Sequence, residues 1–294
     1  MSETLRIGVH ANNPTLLVSS RTGHVEKKLS ALGVNVEWQR IAAGARTVDL
    51  IGANIIQIGG TGSTPPITAQ AKGVPLVYIA TSAARPVGGI YVRNDSAIRT
   101  IADLAGRSIA LGVGSWLQAL LATALDRAGL VWNDIVPLDL TEPEARSALL
   151  AGDIDAWVSG GGLQQGAEKL RVLANTQDLV SNPSVFFARR DYAERRPDVV
   201  TALAAALDEV DHWIAAHPTE AAEHLVAAAG GPLTAAEWQA HIAKRPWGLT
   251  AIGESFLSEQ QRAADIFHRF GLLPRPIDVR DAVLAAPIAI ERAA

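Results

Sequence analysis

The sequence predicts an α/β protein built as two units, and three observations carry that expectation. Its 294 residues are about twice the ~150 of a typical domain. Hydrophobic residues make up 48% and charged residues 19%, enough apolar side chains for a sizeable core and too many for disorder. The first two-thirds alternates short apolar runs with longer helical patterns, the signature of a largely parallel sheet flanked by helices.

Taken in order, the strand candidates are Leu5–Val9, Val34–Arg40, Ile55–Gly59, Leu76–Thr81, Gly89–Val92, Ser108–Leu111, Ile135–Leu138, Ala156–Ser159, Arg171–Ala174 and Ser184–Ala188. Each is a short apolar or alternating run bounded by turn formers. Between them, apolar side chains at helical spacing predict helices over Thr15–Leu32, Ala45–Ala53, Pro65–Ala71, Ile101–Leu104, Ser115–Ala128, Pro143–Ala151 and Leu163–Lys169. From Asp191 onward the pattern is nearly all helical, punctuated by Pro197, Pro218, Pro232, Pro246 and Pro274. Asp198–Ala215, Thr219–Ala229 and Glu254–Phe270 are its amphipathic segments, the last stopped by Gly271. Composition alone leaves open whether the units lie side by side in sequence or one interrupts the other.

Charge and residue content exclude several functions. The net charge is -4 and no basic cluster appears, which speaks against nucleic acid or an anionic membrane as partner. Without cysteine there is no thiol nucleophile, cysteine zinc site or disulfide. No apolar run approaches the ~18–20 residues of a membrane span. Met1–Thr4 lacks the basic start and apolar middle of a secretory signal, so the chain is expected either to stay in the cytoplasm or to have had a signal trimmed.

Two segments could carry chemistry. In Gly59-Gly60-Thr61-Gly62-Ser63-Thr64-Pro65 a strand ends in glycines, and Thr64 stands at an N-cap position with Pro65 at the first helical position. In Leu111-Gly112-Val113-Gly114-Ser115-Trp116 a second strand does the same, with Ser115 placed to cap the next helix. Both turns follow strands whose carboxyl ends are where open α/β sheets gather ligands. Free backbone N–H groups, a hydroxyl and the positive end of a helix dipole together suit an anion without any cationic side chain. Each turn is equally readable as an ordinary capped helix. Neither has the third glycine of a dinucleotide fingerprint, and no Gly-Lys-Ser/Thr is present. The histidines show no metal-ligand spacing, and no serine sits in Gly-x-Ser-x-Gly. No metal, cofactor or catalytic residue is therefore expected. Trp116, directly after the second cap, either lines a pocket or buries against a neighbouring helix.

Gly60-Thr61-Gly62-Ser63-Thr64-Pro65-Pro66-Ile67-Thr68-Ala69-Gln70-Ala71-Lys72-Gly73 resembles the G-S/T-G-x-x-P-P-x-x-A-Q-A-x-G segment of the aliphatic sulfonate-binding proteins of ABC transporters, relatives of taurine- and nitrate-binding proteins. The similarity continues through Ile101–Ala110, Gly114-Ser115, Ala128-Gly129-Leu130, Ala151–Trp157, Ala263–Phe267 and Pro274–Arg280. It implies a type II periplasmic-binding-protein fold: two α/β lobes, one of residues 1–91 and 190–294, the other of 92–189, with a ligand cleft between them. Carried over residue by residue, it implies ligand contacts at His10, Asn12, Ser63, Thr64, Gly114 and Ser115, with Trp157 and Ser159 bordering the site; Trp116, which the family pattern does not supply, is added as a candidate from its position after the second cap. The resemblance also implies a small organic sulfonate or related oxyanion as ligand, a membrane permease as partner, a monomer, and a periplasmic location. Two features depart from the pattern. Trp116 and Leu117 stand where the family often has serines, and Ser159-Gly160-Gly161-Gly162 replaces its Trp-Asp-Pro turn, removing a carboxylate and bulk. The rival reading is a desulfinase-like enzyme on the same fold, which here would have to act on an aryl sulfinate without a cysteine.

Overall fold

A computed structural model describes residues 3–85, 87–161, 166–177, 179–231, 233–286, 288 and 290. The chain forms two compact units: Met1–Ala84, Pro183–Ser258 and Asp278–Ala294 make the first, and Arg85–Asn182 with Glu259–Ile277 the second.

The first unit opens with β1 (Glu3–Val9), α1 (Pro14–Thr22), α2 (His24–Ser30), β2 (Val34–Arg40), α3 (Arg46–Gly52), β3 (Ile58–Thr61), α4 (Thr64–Ala71) and β4 (Leu76–Ser82). The sequence suggested one helix over Thr15–Leu32. Gly23, at φ 70°, instead ends α1 in a left-handed turn and begins α2. The second unit carries β5 (Gly89–Arg93), β6 (Ser108–Leu111), α5 (Trp116–Arg127), β7 (Val136–Asp139), α6 (Glu142–Ala151), β8 (Ala156–Ser159) and β9 (Leu170–Asn175). Of the helix expected over Leu163–Lys169, residues 163–165 lie outside the described residues, and 167–169 form a short 3-10 turn. The chain then returns to the first unit with β10 (Val185–Arg189), α7 (Arg190–Arg195), α8 (Pro197–Ala216), α9 (Pro218–Ala229), α10 (Ala235–Lys244), β11 (Leu249–Thr250) and the start of α11 (Glu254–Arg269).

Each unit has its own sheet, and neither is purely parallel. The first runs β11-β4-β10-β3-β1-β2; β1 pairs in parallel with β2 and β3, while β10 lies antiparallel between β3 and β4. The second runs β7-β6-β8-β5-β9, with β5 antiparallel to both β8 and β9. The units divide at 84/85 and 182/183, several residues before the 91/92 and 189/190 junctions that the family resemblance implied. β5, placed mostly in lobe one by that reading, therefore pairs in the second sheet, and β10, placed in lobe two, pairs in the first. A strand's own residues say only that it is a strand; hydrogen-bonded neighbours decide its sheet. α11 likewise passes from one unit to the other after Ser258. Its later part is tied to the second unit by Ser181, whose N–H and hydroxyl donate to Glu259 Oε1, and by Arg269, which donates to Asp126.

The first core packs Leu5, Ile7 and Phe186 of the sheet against Leu16 and Leu17 of α1 and Leu203, Leu207 and Val210 of α8. The second gathers Tyr91, Ala110 and Trp157 under Ala145 and Leu149 of α6. These cores hold the strands rigid, so the loops at their carboxyl ends are presented on fixed supports. Among the described residues no helix is long and apolar enough to cross a membrane.

Candidate ligand-binding site

In the first unit the loops after the adjacent parallel strands β1 and β3 form one polar group. His10 follows β1 directly and is buried. Its Nδ1 accepts from the Asn12 N–H at 3.2 Å, which leaves Nε2 as the protonated nitrogen, donating to the Gly60 carbonyl at 2.8 Å. Burial pushes the His10 pKa below its ordinary 6.5, against the opposing pull of the Gly60 bond. The ring fits because Gly44 has no side chain: a Cβ there would stand 3.0 Å from Cε1. Next along, Asn13 caps α1, its Oδ1 accepting from the Leu16 N–H at 3.1 Å. That bond fixes which end of the carboxamide does what. Nδ2, turned toward Gly60, is buried with no hydrogen-bond partner among the described residues.

The other half of this group is the start of α4. The N-cap is Ser63, one residue earlier than the sequence suggested, and it makes no side-chain capping bond. The reason is in the two prolines. A capping oxygen accepts from the second or third helical N–H, and Pro65 and Pro66 have none. Of the first three helical residues only Thr64 keeps an amide proton, so this turn offers fewer free N–H groups than a typical helix start. It offers a hydroxyl instead. Thr64 Oγ1 is fully buried and without a partner among the described residues.

The second unit's turn is built differently. Gly114 takes φ 77°, which swings the chain so that Ser115 caps α5, as expected. The Ser115 hydroxyl accepts from the Leu117 N–H at 3.2 Å and donates to the Gly112 carbonyl at 2.6 Å. The Gly114 N–H donates to Gln118 Oε1 at 2.8 Å and the Val113 N–H to Asp139 Oδ1 at 3.0 Å. Much of this turn's hydrogen-bonding capacity is spent within the unit. Beside it, Ser159 donates to Glu142 Oε2 at 2.9 Å, and the Gly160 N–H donates to Glu142 Oε1 at 2.8 Å. Glu142 is the first residue of α6, where a carboxylate also suits the helix dipole. Trp116 is half-buried, its indole against Gly88 and Gly160.

The nine residues expected at the site divide accordingly. His10, Asn12, Ser63 and Thr64 fall on the two neighbouring loops of the first unit; Asn12 contributes a backbone bond while its side chain is exposed. Gly114, Ser115 and Trp116 share the turn before α5, and Ser159 lies by Glu142. Trp157 does not join them. It is 2% exposed and packs in the core, its ring 6.0 Å from that of Tyr91. Trp157 and Ser159 share a strand face, but the earlier residue lies under the body of α6 and the later one at its start. Asn13, Gln118 and Glu142 were missed. Asn13-Pro14, a capping residue before a proline, was the available signal for the first. The segment Thr141-Glu142-Pro143-Glu144, a capping box, was the signal for the helix start that carries Glu142. Among the described residues no group of His, Asp or Glu side chains could hold a metal ion.

Comparison with known proteins identifies the family and the fold. The family described as "NMT1/THI5 like" matches residues 30–221, about two-thirds of the chain. The chain belongs to that family. A relative in Escherichia coli (strain K12), provisionally described as an aliphatic sulfonates-binding protein, is 31% identical over 288 residues, covering 96% of this chain and 88% of that protein. Among solved structures, the periplasmic aliphatic sulphonate binding protein SsuA from Escherichia coli superposes with a TM-score of 0.85 at 29% identity, covering 100% of this chain and 96% of that one. The alkanesulfonate-binding protein SsuA from Xanthomonas axonopodis pv. citri, bound to MOPS, gives 0.81 at 29% identity, over 97% and 99%. The fold of this chain is thus that of the periplasmic binding proteins. The desulfurization enzyme DSZB shares the fold at a TM-score of 0.63 and 20% identity, over 96% of each chain.

Proposed function

We propose that the protein is the solute-binding component of an ABC importer, holding a small organic sulfonate or related oxyanion for delivery to a membrane permease. The observation that carries this reading is the pair of desolvated, unused donors in the first unit, Asn13 Nδ2 and Thr64 Oγ1, beside a histidine held neutral. A buried donor with no acceptor costs roughly 1–3 kcal/mol, a cost that a ligand oxygen would offset. Neutral donors of this kind suit a weakly basic, singly charged oxyanion, whose charge is spread over several acceptor atoms. His10, Asn12, Ser63 and Thr64 in the first unit and Gly114, Ser115, Trp116 and Ser159 in the second are the ligand-facing positions in this reading, with Trp157 supporting from the core. The similar proteins named for sulfonate binding support the ligand class, and their periplasmic description supports a periplasmic location; a monomer is part of the same proposal.

The test is titration calorimetry with methanesulfonate, propane-1-sulfonate, sulfate and nitrate, alongside thermal unfolding. A sulfonate should bind one to one, and at a hundred times its Kd it should add about 2.7 kcal/mol of stability. Thr64→Val, which removes the hydroxyl and keeps the shape, should weaken binding about tenfold, since a charged acceptor loses its donor. The absence of any sulfonate-dependent shift would sink the proposal. So would sulfite release from an aryl sulfinate, which would mark the chain as an enzyme on the fold it shares with DSZB.

A further inference from the structure

The buried face of α8 is apolar except for two carboxylates one turn apart, Asp208 and Asp211, and Asp211 is fully buried. A buried carboxylate is costly unless it is hydrogen-bonded and matched by a cation. Asp208 accepts from the Leu249 N–H at 2.6 Å. Asp211 accepts from the Thr15 hydroxyl through Oδ1 at 2.6 Å and from the Gly248 N–H through Oδ2 at 3.3 Å. Its cation is Arg245 at the end of α10, whose guanidinium lies over the Trp247 ring, 4.4 Å from the centroid. Burial raises the Asp211 pKa, and Arg245 and the two hydrogen bonds oppose that rise.

The bond to Thr15 reaches the ligand site within one helical turn. Asn13 is the N-cap of α1 and Thr15 its second helical residue. Pro14 between them has a fixed φ and no N–H, so the segment moves as a unit. Among the described residues, two bonds from outside the helix hold this start: the Asn13 N–H donates to the His10 carbonyl at 3.2 Å, and Thr15 donates to Asp211. The first is long; the second has the length of a hydroxyl donating to a charged oxygen. Asn13 Oδ1 is committed to the Leu16 N–H, so any shift of α1 carries with it Nδ2, the buried donor with no partner among the described residues. On its other side Asp211 holds the turn into β11, which pairs with Thr81 and Ser82 at the carboxyl end of β4.

We propose that Asp211 is a positioning residue for the ligand site, holding Asn13 Nδ2 in place through the Thr15 hydroxyl while fixing the turn into β11 through Gly248. This rests on the sulfonate-binding reading and adds to it a residue that never touches the ligand. The charge matters because an ionised carboxylate only accepts, so the Thr15 hydroxyl and the Gly248 N–H can both donate to it. Arg245 keeps that ionised form available in a buried place.

Calorimetry with propane-1-sulfonate, under conditions where every variant is folded, reads the effect. Thr15→Val, which keeps the shape and removes the hydroxyl, should weaken binding about fivefold, and Thr15→Ser should stay within about twofold of wild type. Asp211→Asn leaves one oxygen to accept and turns an amide donor on the other partner, so it should weaken binding at least as much as Thr15→Val; should it fail to fold, the Thr15 pair decides. Val199→Ala, a core truncation elsewhere on α8, should lower the denaturant midpoint and leave the Kd unchanged, which separates positioning from loss of stability. In nitrogen-15 spectra of the ligand-free protein, the Asn13 carboxamide signals should move in Thr15→Val and return in Thr15→Ser. An unchanged Kd or unmoved Asn13 signals in Thr15→Val, or an equal loss of affinity in Val199→Ala, overturns the positioning role and leaves sulfonate binding standing. If the wild-type protein binds no sulfonate, the sulfonate reading itself falls, and the positioning role with it.

Discussion

The ring of His10 is held by two bonds of opposite sense, one accepted at Nδ1 and one donated from Nε2, and only the neutral form satisfies both. A proton added at Nδ1 would face the Asn12 N–H. Burial favours the same neutral form, so the folded pKa lies below the ordinary 6.5. The unfolded chain then binds more protons than the folded one between those two values. Stability from this residue is full above pH 6.5 and is lost as pH falls toward the folded pKa. Denaturant unfolding of wild type and His10→Gln should therefore show the wild type losing stability more steeply from pH 7.5 to 5. Parallel curves would mean the ring titrates as freely as in water. Glycines make a second contrast at this scale. Gly88 sits at φ 90° with the Ser159 carbonyl 2.4 Å from where a Cβ would be, whereas Gly160 has only ordinary contacts there. Gly88→Ala should cost more than about 2 kcal/mol, combining left-handed strain with a backbone clash, and Gly160→Ala well under 1. His10 was legible in the sequence as a residue at the end of a strand. Asn13 was not, because its role depends on which end of one carboxamide the α1 amide takes.

At the scale of elements, the two helix starts that look alike in sequence differ in physics. The start of α5 is a conventional cap, and Ser115→Ala should lower stability by about 1 kcal/mol, read as a shift in denaturant midpoint without a change in slope. No loss would mean that the bonds from Gly114 to Gln118 and from Val113 to Asp139 hold the turn unaided. The start of α4 has no such cap, since its prolines remove the amides a cap would bind, and its fixed proline dihedrals do the ordering instead. Strand-to-glycine-to-helix patterning therefore located both turns correctly but could not say which donors each leaves unspent. The pairing of Trp116 with Gly88 shows the same limit. The tryptophan was visible as an oddity, and nothing local to it says that Gly88, where a Cβ would stand 2.9 Å from the indole Cη2, makes its room. Such complementarity belongs to packing between elements distant in sequence, which periodicity does not encode.

For the whole molecule, the alternation of strands and helices was legible because each element's pattern is local, while the junctions were not. β5 and β10 each sit antiparallel in the sheet of the unit the chain has just entered, and only their partners reveal it. Net charge, in contrast, is fully readable from composition and leads to a distinct expectation. The protein carries 26 basic and 30 acidic residues, so an anionic ligand approaches a molecule of like sign, and the donors assigned to it are hydroxyls and amides rather than cations. Salt screens interactions between exposed charges over a Debye length of about 10 Å at 0.1 M, but it has little hold on desolvated neutral dipoles. Raising sodium chloride from 20 to 300 mM should leave the Kd for propane-1-sulfonate within about twofold, and the association rate should stay level or rise slightly as repulsion is screened. A site built on an exposed arginine or lysine would behave in the opposite way, weakening steadily as salt increases. Calorimetry across that range, with potassium sulfate at matched ionic strength to detect direct competition by oxyanions, distinguishes the two. A fivefold or greater loss with sodium chloride would show that a cationic side chain, and not the buried hydroxyl and amide donors, is what holds the anion.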